Sequence, residues 1–487
     1  MNRKMVSYTL GIVLLLQALM MVLPTAAALY YKEDTLMSFL ITIGALVVFG
    51  FILTRFKPKN KTIYSREGIM IVSFGWILIS LFGAMPFTIS GEIPNYINAV
   101  FEAVSGFTTT GASILTDVDA MSKSMLFWRS FTHWLGGMGV LVFLMAILPL
   151  AGGGGNIFLM RAESPGPDVG KLVPKSNHTA RILYGIYFVM TVIEIAMLKI
   201  GGMSWYESIT LSFGTAGTGG FSVTSAGIGG YSLYSQIVIG VFMALFGINF
   251  NLYYLLLCGK IKDVFKNEEL RAYLGIMIGS IVIIAINIRN LYSSIGMAFH
   301  EAGFQVASVM TTTGYATADF DKWPELSRMI MVLVMCVGGC AGSTAGGLKV
   351  SRILLMVKSA KKEIKRIMHP RSVSIIRFDG KRVNDEIAQS TNIYFTVYMM
   401  IFVISLLLVS FDNNADMTSN VTSVIATLNN IGPGLGVVGP MGSFASYSMF
   451  TKIIYIIDML LGRLEIFPLL LLFSPKMWTR RSSNAVR

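Results

Sequence analysis

A phrase that occurs twice almost unchanged constrains this chain of 487 residues more than any other feature. Residues 101–111 read FEAVSGFTTTG, and residues 304–314 read FQVASVMTTTG. Looser copies are GTAGTG at 214–219 and TLNNIG at 427–432. The last glycines of the four phrases are separated by 108, 95 and 118 residues, enough in each interval for two membrane helices and a shorter one. Four copies of one unit predict a molecule with fourfold pseudosymmetry.

The composition indicates a polytopic membrane protein. Hydrophobic residues make up 54% of the chain, charged residues only 13%, and the mean hydropathy is +0.65. The net charge of +13 does not indicate nucleic acid, because Lys and Arg gather in alternate loops, chiefly 55–66, 358–382 and the C-terminal tail. Acidic residues dominate the opposite loops. This asymmetry predicts that both termini are cytoplasmic, which requires an even number of spans.

Ten apolar segments are candidate spans. They are 5–30, 36–55, 68–89, 124–150, 180–200, 233–258, 271–292, 326–366 with an interruption, 391–410 and 448–474. A short stretch that cannot cross a bilayer precedes each phrase, at 96–108, 205–216, 297–310 and 418–428. Such re-entrant segments are tolerated at membrane depth where they line water or are covered by protein. The first span ends in an A-x-A pattern typical of a leader, but its length favours a retained helix.

The four phrases are candidate cation ligands. Glycine permits positive φ, so successive carbonyls can point at one axis and replace the hydration shell of an ion. The candidate potassium-filter residues are Thr109, Thr110, Gly111, Thr218, Gly219, Thr312, Thr313, Gly314, Asn430, Ile431 and Gly432. The fourth phrase lacks the threonines, so the shared requirement is the backbone. The alternative is that Thr and Gly mediate tight helix packing.

A glycine-rich stretch, GGCAGSTAGG at 338–347, interrupts the eighth apolar segment. Glycine within a helix costs about 1 kcal/mol relative to alanine, which favours a broken, mobile segment that acts as a gate. The alternatives are a close-packed helix face and a phosphate loop, although Lys349 is one residue late for the latter. The candidate gate residues are Gly338, Gly339, Gly342, Ser343, Thr344, Gly346, Gly347 and Arg463.

Arg463 lies inside the last apolar segment, where an ionisable group is a functional-site hypothesis by default. Facing the cation path, its guanidinium would raise an electrostatic barrier. The alternative is a structural pairing with Asp458 or Glu465.

The remaining polar residues predict no chemistry. Arg129 and His133 are interpreted as interface anchors. Acidic residues near the starts of three short helices, Glu102, Glu207 and Glu301, are interpreted as helix caps. The three cysteines lie in apolar segments with no histidine beside them, which disfavours a zinc site. No nucleophile–base pair or carboxylate dyad is visible, so an enzyme is not expected.

Together these motifs resemble those of the Trk/Ktr/HKT superfamily of potassium transporters, and more narrowly the bacterial TrkH/TrkG membrane subunits. The resemblance rests on the four phrases and on FWRSFTHWLGGMG at 127–139, RAESPGP at 161–167, GGCAGSTAGGLK at 338–349 and LLGRLE around Arg463. It implies an all-α polytopic membrane protein with four M1–pore-helix–M2 repeats around one pore. The implied divisions are two extra N-terminal transmembrane helices at 1–60 and pore repeats at 61–160, 161–260, 261–380 and 381–487.

The resemblance further implies a function and partners. Potassium would cross the bacterial inner membrane through the filter, past the loop 338–347, with Arg463 matching the pore arginine of the family. The implied assembly is a homodimer in membrane lipid, regulated by a cytosolic nucleotide-binding RCK-type (TrkA-like) ring. The only expected cofactor is potassium, with no organic cofactor and no nucleic acid. A symporter that couples potassium to protons or sodium is the alternative.

Overall fold

The computed structural model describes residues 2–55, 57–58, 63–137, 139, 176–372, 374–412 and 415–478. The described part is built of helices, with one antiparallel hairpin formed by Arg377–Phe378 (β1) and Lys381–Arg382 (β2). The predicted all-α class is therefore confirmed.

The helices are as follows in chain order. Helices α1 to α7 are Arg3–Met20, Val22–Tyr31, Leu36–Thr54, Ser65–Ile89, Tyr96–Phe107, Lys123–Gly137 and Ser176–Ile200. Helices α8 to α14 are Trp205–Gly217, Leu233–Phe246, Phe250–Leu257, Ile261–Lys266, Glu268–Ile288, Ile295–Met310 and Glu325–Val337. Helices α15 to α20 are Val350–Met368, Asp385–Val409, Met417–Leu428, Met449–Arg463, Phe467–Leu472 and Pro475–Trp478.

Six helical stretches of the described residues are long and apolar enough to cross a membrane. They are Arg3–Tyr31, Leu36–Thr54, Ser65–Ile89, Ile182–Ile200, Glu268–Leu291 and Asp385–Val409. The pair α9 and α10, bent by 91°, makes a seventh if it is counted as one span. Ten continuous or once-broken spans were expected, and part of the segment 124–150 lies outside the described residues.

Besides the interruption expected in 326–366, two segments expected to be continuous spans are broken. The expectation of continuity was wrong for them. In 233–258 the break is at Gly247, where an added Cβ would lie 2.6 Å from the hydroxyl oxygen of Tyr273. In 448–474 the break is at Glu465 and Ile466, whose φ angles are 52° and 67°. Neither segment contains a run of glycines like that at 338–347, so the residue order does not reveal the break.

Four short helices, α5, α8, α13 and α17, precede the four repeated phrases. Each begins with a side-chain cap that accepts a backbone N–H of the first turn. The caps are Asn95, Ser204, Ser294 and Asp416. Such caps contribute about 1 kcal/mol each and fix where the helix starts. At Asp416 the hydrogen bond from the Ser419 hydroxyl lowers the pKa of the carboxyl. The cap is therefore negatively charged and interacts favourably with the positive end of the helix dipole.

The predicted acidic caps have different outcomes. Glu207 forms a reciprocal capping box with Ser204, as expected. Glu102 and Glu301 do not cap, because each lies inside its helix: Glu102 is buried against Arg129, and Glu301 accepts a hydrogen bond from Thr317 at 2.6 Å.

Candidate functional site

All four short helices end in the same backbone motif. An N–H donates to the carbonyl five residues earlier at Thr110, Gly219, Thr313 and Ile431, with N–O distances of 2.8, 2.8, 2.8 and 2.9 Å. The residues immediately before these donors, Thr109, Thr218, Thr312 and Asn430, have φ of 55°, 55°, 56° and 55°. This is the Schellman arrangement, which normally places glycine at the left-handed position.

Three of the four left-handed residues are threonines, which is unusual. A β-branched residue with positive φ is a genuine outlier, at a cost of roughly 1–2 kcal/mol. The hydroxyls of Thr109 and Thr218 each donate to the preceding carbonyl, at 2.7 and 2.6 Å. Strain of this kind persists where the surroundings enforce it and is concentrated at functional sites.

The register of the second phrase differs from the prediction by one residue. Two positions after the left-handed residue stands a glycine with positive φ in every copy. These glycines are Gly111, Gly220, Gly314 and Gly432, with φ of 78°, 76°, 84° and 99°. Gly220 therefore takes the place predicted for Gly219, and Gly219 corresponds to Thr110, Thr313 and Ile431. The reason is that the helix turns left-handed at Thr218, so the first glycine after it supplies the carbonyl and only the second needs positive φ.

We call residues 108–111, 217–220, 311–314 and 429–432 segments 1 to 4. The glycine that ends each segment lies against a carbonyl of the next segment. A Cβ added to Gly111 would lie 2.0 Å from Gly219 O, and one added to Gly220 would lie 1.9 Å from Thr313 O. A Cβ added to Gly314 would lie 2.2 Å from Ile431 O, and one added to Gly432 would lie 2.8 Å from Thr110 O. The contacts run from segment 1 to 2, 2 to 3, 3 to 4 and back to 1, so the segments close into a ring. The ring leaves no room for a side chain at its glycines.

Side chains also join neighbouring segments. Asn430 donates through Nδ2 to the Thr110 hydroxyl and to the carbonyl of Met459, both at 2.9 Å. The hydroxyl of Tyr315 donates to the carbonyl of Leu211 at 3.0 Å. The fourth phrase, which departs most from the repeat in sequence, thus contributes its amide side chain to the ring.

The predicted break at 338–347 is present. Helix α14 ends at Val337, α15 starts at Val350, and the connecting segment turns at Gly338, Gly342 and Gly347 with φ of 73° to 77°. Because this segment is not helical, the close-packed helix face is excluded; no strand precedes it among the described residues, which disfavours a phosphate loop.

This loop contacts the ring directly. The N–H of Gly346 donates to the hydroxyl of the strained Thr312 at 2.6 Å, and the N–H of Gly347 donates to the carbonyl of Asn429 at 3.0 Å. A Cβ on Gly346 would lie 2.3 Å from that same carbonyl. The backbone of the loop therefore contacts a side-chain hydroxyl of segment 3 and the backbone of segment 4.

Other contacts fix the two ends of the loop. Buried Glu269, at the start of α12, accepts from the N–H of Ala341 at 2.7 Å and from that of Ser351 at 3.1 Å. The N–H of Cys340 donates to the carbonyl of Gly247 at 2.9 Å, at the break between α9 and α10. The loop is thus held by a carboxylate on one side and by a neighbouring helix break on the other.

Arg463 connects segment 1 to the loop. One terminal nitrogen lies 3.2 Å from the Thr109 hydroxyl and 3.1 Å from the carbonyl of Thr344, and the other lies 2.5 Å from the carbonyl of Gly136. The two acids proposed as alternative partners have contacts elsewhere: Asp458 accepts from Ser405 at 2.7 Å, and Glu465 forms an ion pair with Arg352.

Arg129 and His133 were interpreted as interface anchors, which is wrong. Both are buried, with 3% and 0% of their surface exposed. Arg129 forms an ion pair with Glu102, and His133 Nδ1 lies 2.9 Å from the carbonyl of Gly106, in the last turn of α5. They pack behind the ring and not at a membrane surface.

The ligands that this site offers to an ion are oxygens. Among the described residues no group of three or more His, Cys, Asp or Glu side chains could hold a metal. Backbone carbonyls and threonine hydroxyls are instead the neutral oxygen ligands that suit a weakly held, dehydrated cation.

Comparison with known proteins identifies the family. A family model described as a cation transport protein, TrkH, matches residues 36–483. The chain belongs to the TrkH family. The Trk system potassium uptake protein TrkH of Escherichia coli (strain K12) is 37% identical over 486 residues, covering 98% of this chain and 100% of that protein. The Trk system potassium uptake protein TrkG of the same strain is 34% identical, with 98% of each chain covered.

A solved structure supports the same assignment. The crystal structure of the potassium transporter TrkH from Vibrio parahaemolyticus superposes with a TM-score of 0.87 at 32% identity, covering 98% of this chain and 100% of that one. Members of the TrkH family are multi-span cation transport proteins, so this chain is a transporter and not an enzyme.

Proposed function

We propose that this chain takes up potassium across the bacterial cytoplasmic membrane as the translocating subunit of a Trk-type system. The closed ring formed by segments 1 to 4 carries the proposal, because four neighbouring carbonyls from four chain segments can replace the hydration shell of one cation. In this proposal the ring is the selectivity filter. The names of the relatives, potassium uptake proteins, support the choice of ion.

The carbonyls of Thr110, Gly219, Thr313 and Ile431 are the equivalent ligands in this filter, and the glycines that follow them set the spacing. Because every one of these carbonyls lies against the glycine of the preceding segment, backbone contacts limit how closely neighbouring ligands can approach each other. A filter of this type selects an ion by the field and spacing of its carbonyl dipoles.

The loop 338–347 is the proposed gate. It contacts segments 3 and 4 through Gly346 and Gly347, and Arg463 ties it to segment 1. A guanidinium beside the cation path adds a repulsive field there. Opening then consists of breaking the loop's hydrogen bonds to the ring and moving it aside.

The wider assembly follows the same proposal. The two N-terminal helices occupy residues 1–60, and four pore repeats occupy 61–160, 161–260, 261–380 and 381–487. Both termini are cytoplasmic, the chain forms a homodimer in the lipid bilayer, and an RCK-type (TrkA-like) ring docks on the basic inner loops. The membrane potential drives uptake with about 2.3 kcal/mol per charge per 100 mV.

Rubidium-tracer uptake into liposomes that hold the purified chain tests the function. We expect uptake that excess potassium suppresses and excess sodium does not. Equal suppression by both ions would refute a potassium-selective filter. Uptake that requires an imposed proton or sodium gradient, and fails with a membrane potential alone, would establish the coupled symporter instead.

A further inference from the structure

A buried ion pair lies directly behind the ring. Glu102, in the middle of α5, and Arg129, in α6, are joined by an Nε–Oε1 distance of 2.5 Å, and their side chains are 0% and 3% exposed. Removing two charges from water costs several kcal/mol, and a buried pair rarely repays more than that cost in stability. Its retention at this place therefore calls for a role other than holding the fold together.

The two remaining nitrogens of Arg129 reach two different segments. Nη2 donates to the hydroxyl of Ser113, and Nη1 donates to the carbonyl of Ser222, both at 3.1 Å. Ser113 stands two residues after Gly111, and Ser222 stands two residues after Gly220. One guanidinium thus spans equivalent positions that directly follow segments 1 and 2, at the boundary between them.

The guanidinium is held in one orientation. Glu102 also accepts from the Ser113 hydroxyl at 3.0 Å and from the N–H of Ile114 at 3.1 Å, so the carboxylate itself is fixed. On the other side the Arg129 Cζ lies 3.7 Å from the ring centroid of Phe221, the residue after Gly220. A planar guanidinium with fixed partners on three sides defines the distance between Ser113 and Ser222, which a lysine ammonium cannot do.

Two other boundaries of the ring use neutral groups. Between segments 2 and 3 the Tyr315 hydroxyl makes the connection, and between segments 4 and 1 the Asn430 amide does. In the third unit Gln305 stands where Glu102 stands in the first, seven residues before the left-handed threonine, and it donates to Thr317 and Ala318 of its own unit. Of these three boundaries, the one between segments 1 and 2 is the one with a buried ion pair.

We propose that Glu102 and Arg129 are a positioning pair that sets the spacing of segments 1 and 2 and thereby the preference for potassium over sodium. The pair touches no ion and acts through Ser113 and Ser222. This inference rests on the proposed filter. Carbonyl spacing decides which dehydrated ion is accommodated, so a looser boundary lets the ring close around the smaller sodium ion.

Arg129→Lys is the decisive variant. Lysine keeps the charge opposite Glu102 but cannot span Ser113 and Ser222 at once. The matched control is Lys358→Arg, which exchanges the cation of the ion pair with Glu268, outside the four segments. Full-length variants in liposomes are compared by rubidium uptake under potassium or sodium competition, and their melting temperatures are measured in each salt.

We expect Arg129→Lys to retain uptake while the potassium-over-sodium preference falls about tenfold, the change that follows the loss of roughly one charge-assisted hydrogen bond. The extra thermal stabilisation by potassium over sodium should fall in parallel. Lys358→Arg should match the wild type in both ratios. Where Arg129→Lys does not fold, Ser113→Ala decides, because it removes one arm of the brace without changing any charge and should shift the preference in the same direction.

Two results would overturn the inference. A folded Arg129→Lys or Ser113→Ala protein with the wild-type preference would show that the pair is structural, even if its melting temperature is lower. A wild-type chain without any preference would instead refute the proposed filter, and the positioning role with it. The wild-type measurement thus separates the two failures.

Discussion

At the residue scale, the repeated phrase is explained by two positive φ angles within three residues. In segment 3 these are Thr312 and Gly314. The first results from the Schellman end of the short helix and is held by a 2.8 Å hydrogen bond from the N–H of Thr313 to the carbonyl of Ser308. The second is enforced by the carbonyl of Ile431, which occupies the place of a side chain. Position 314 therefore requires glycine, whereas position 312 accepts a threonine at the cost of backbone strain.

Gly314→Ser should damage potassium discrimination more than stability. The new Cβ would meet Ile431 O at 2.2 Å in a backbone conformation that L residues rarely adopt, so the two segments must separate. We expect at least a tenfold loss of the potassium preference in competed rubidium uptake, equivalent to roughly 1.4 kcal/mol.

Gly303→Ala is the matched control. Gly303 lies in the same helix, α13, and an added Cβ meets nothing within 4 Å. This variant should keep the preference and gain stability by up to about 1 kcal/mol from helix propensity. If Gly314→Ser and Gly303→Ala discriminate equally well, Gly314 does not belong to a filter.

In segments 1, 3 and 4 the glycine named from the phrase is the one that has positive φ and lies against the next segment. In GTAGTGG several glycines compete, and the choice depends on where the helix turns left-handed. That point is set by the hydrogen bond from Gly219 N to Gly214 O and by the contact of Gly220 with segment 3, which residue order does not reveal. For the same reason the brace between Glu102 and Arg129 was missed: the residues are 27 positions apart on different helices.

At the element scale, three helices that follow a segment are broken near the ring. The breaks lie at Gly247 after α9, at 338–349 after α14 and at 464–466 after α18. A broken helix exposes N–H and C=O groups that must find partners inside the protein at membrane depth. The first two breaks pair with each other: Cys340 N donates to Gly247 O, and Phe250 N donates to Gly342 O at 3.1 Å. Only the glycine-rich break was predicted, because its run of glycines is visible in the sequence. The other two depend on the contact of Gly247 with Tyr273 and on positive φ angles at Glu465 and Ile466.

Glu269→Ala should raise the basal flux of the chain without its partner. The substitution removes the acceptor shared by the N–H groups of Ala341 and Ser351 and leaves both ends of the loop less constrained. Each buried N–H that loses its partner costs about 1–3 kcal/mol in the closed state, so loop opening becomes more favourable by a similar amount.

Glu268→Ala provides the comparison, because Glu268 precedes Glu269 but pairs with the partly exposed Lys358 outside the loop. Its rubidium flux should equal that of the wild type. A Glu269→Ala flux that also equals the wild type would mean that the loop is a static packing element and not a gate.

At the scale of the whole molecule, four similar units carry unequal additions. Among the described residues, the combination of an extended loop and a long basic helix occurs after segment 3, where the C-terminal half of α15 is exposed and includes Lys361 and Lys365. Because α15 starts directly after the loop, a force on this helix reaches the gate through Val350, a buried residue at its first position. In the proposed assembly, a cytosolic partner bound to α15 would move the loop without any change in the ring.

Charge reversal on this helix should weaken docking of an RCK-type ring. Lys361→Glu and Lys365→Glu, each tested singly, replace attraction by repulsion at an exposed rim, where one charge contributes roughly 0.2–1 kcal/mol. We therefore expect a twofold to fivefold rise in the dissociation constant of a purified ring for the chain in nanodiscs, roughly in line with that energy. The loss should be larger at low than at high ionic strength, because salt screens exposed charges.

Lys322→Glu, on a residue that is 83% exposed at the opposite end of α14, is the control and should leave the constant unchanged. Equal weakening by Lys322→Glu would reduce the effect to net charge, and affinity that is independent of salt for all variants would place the partner on another face.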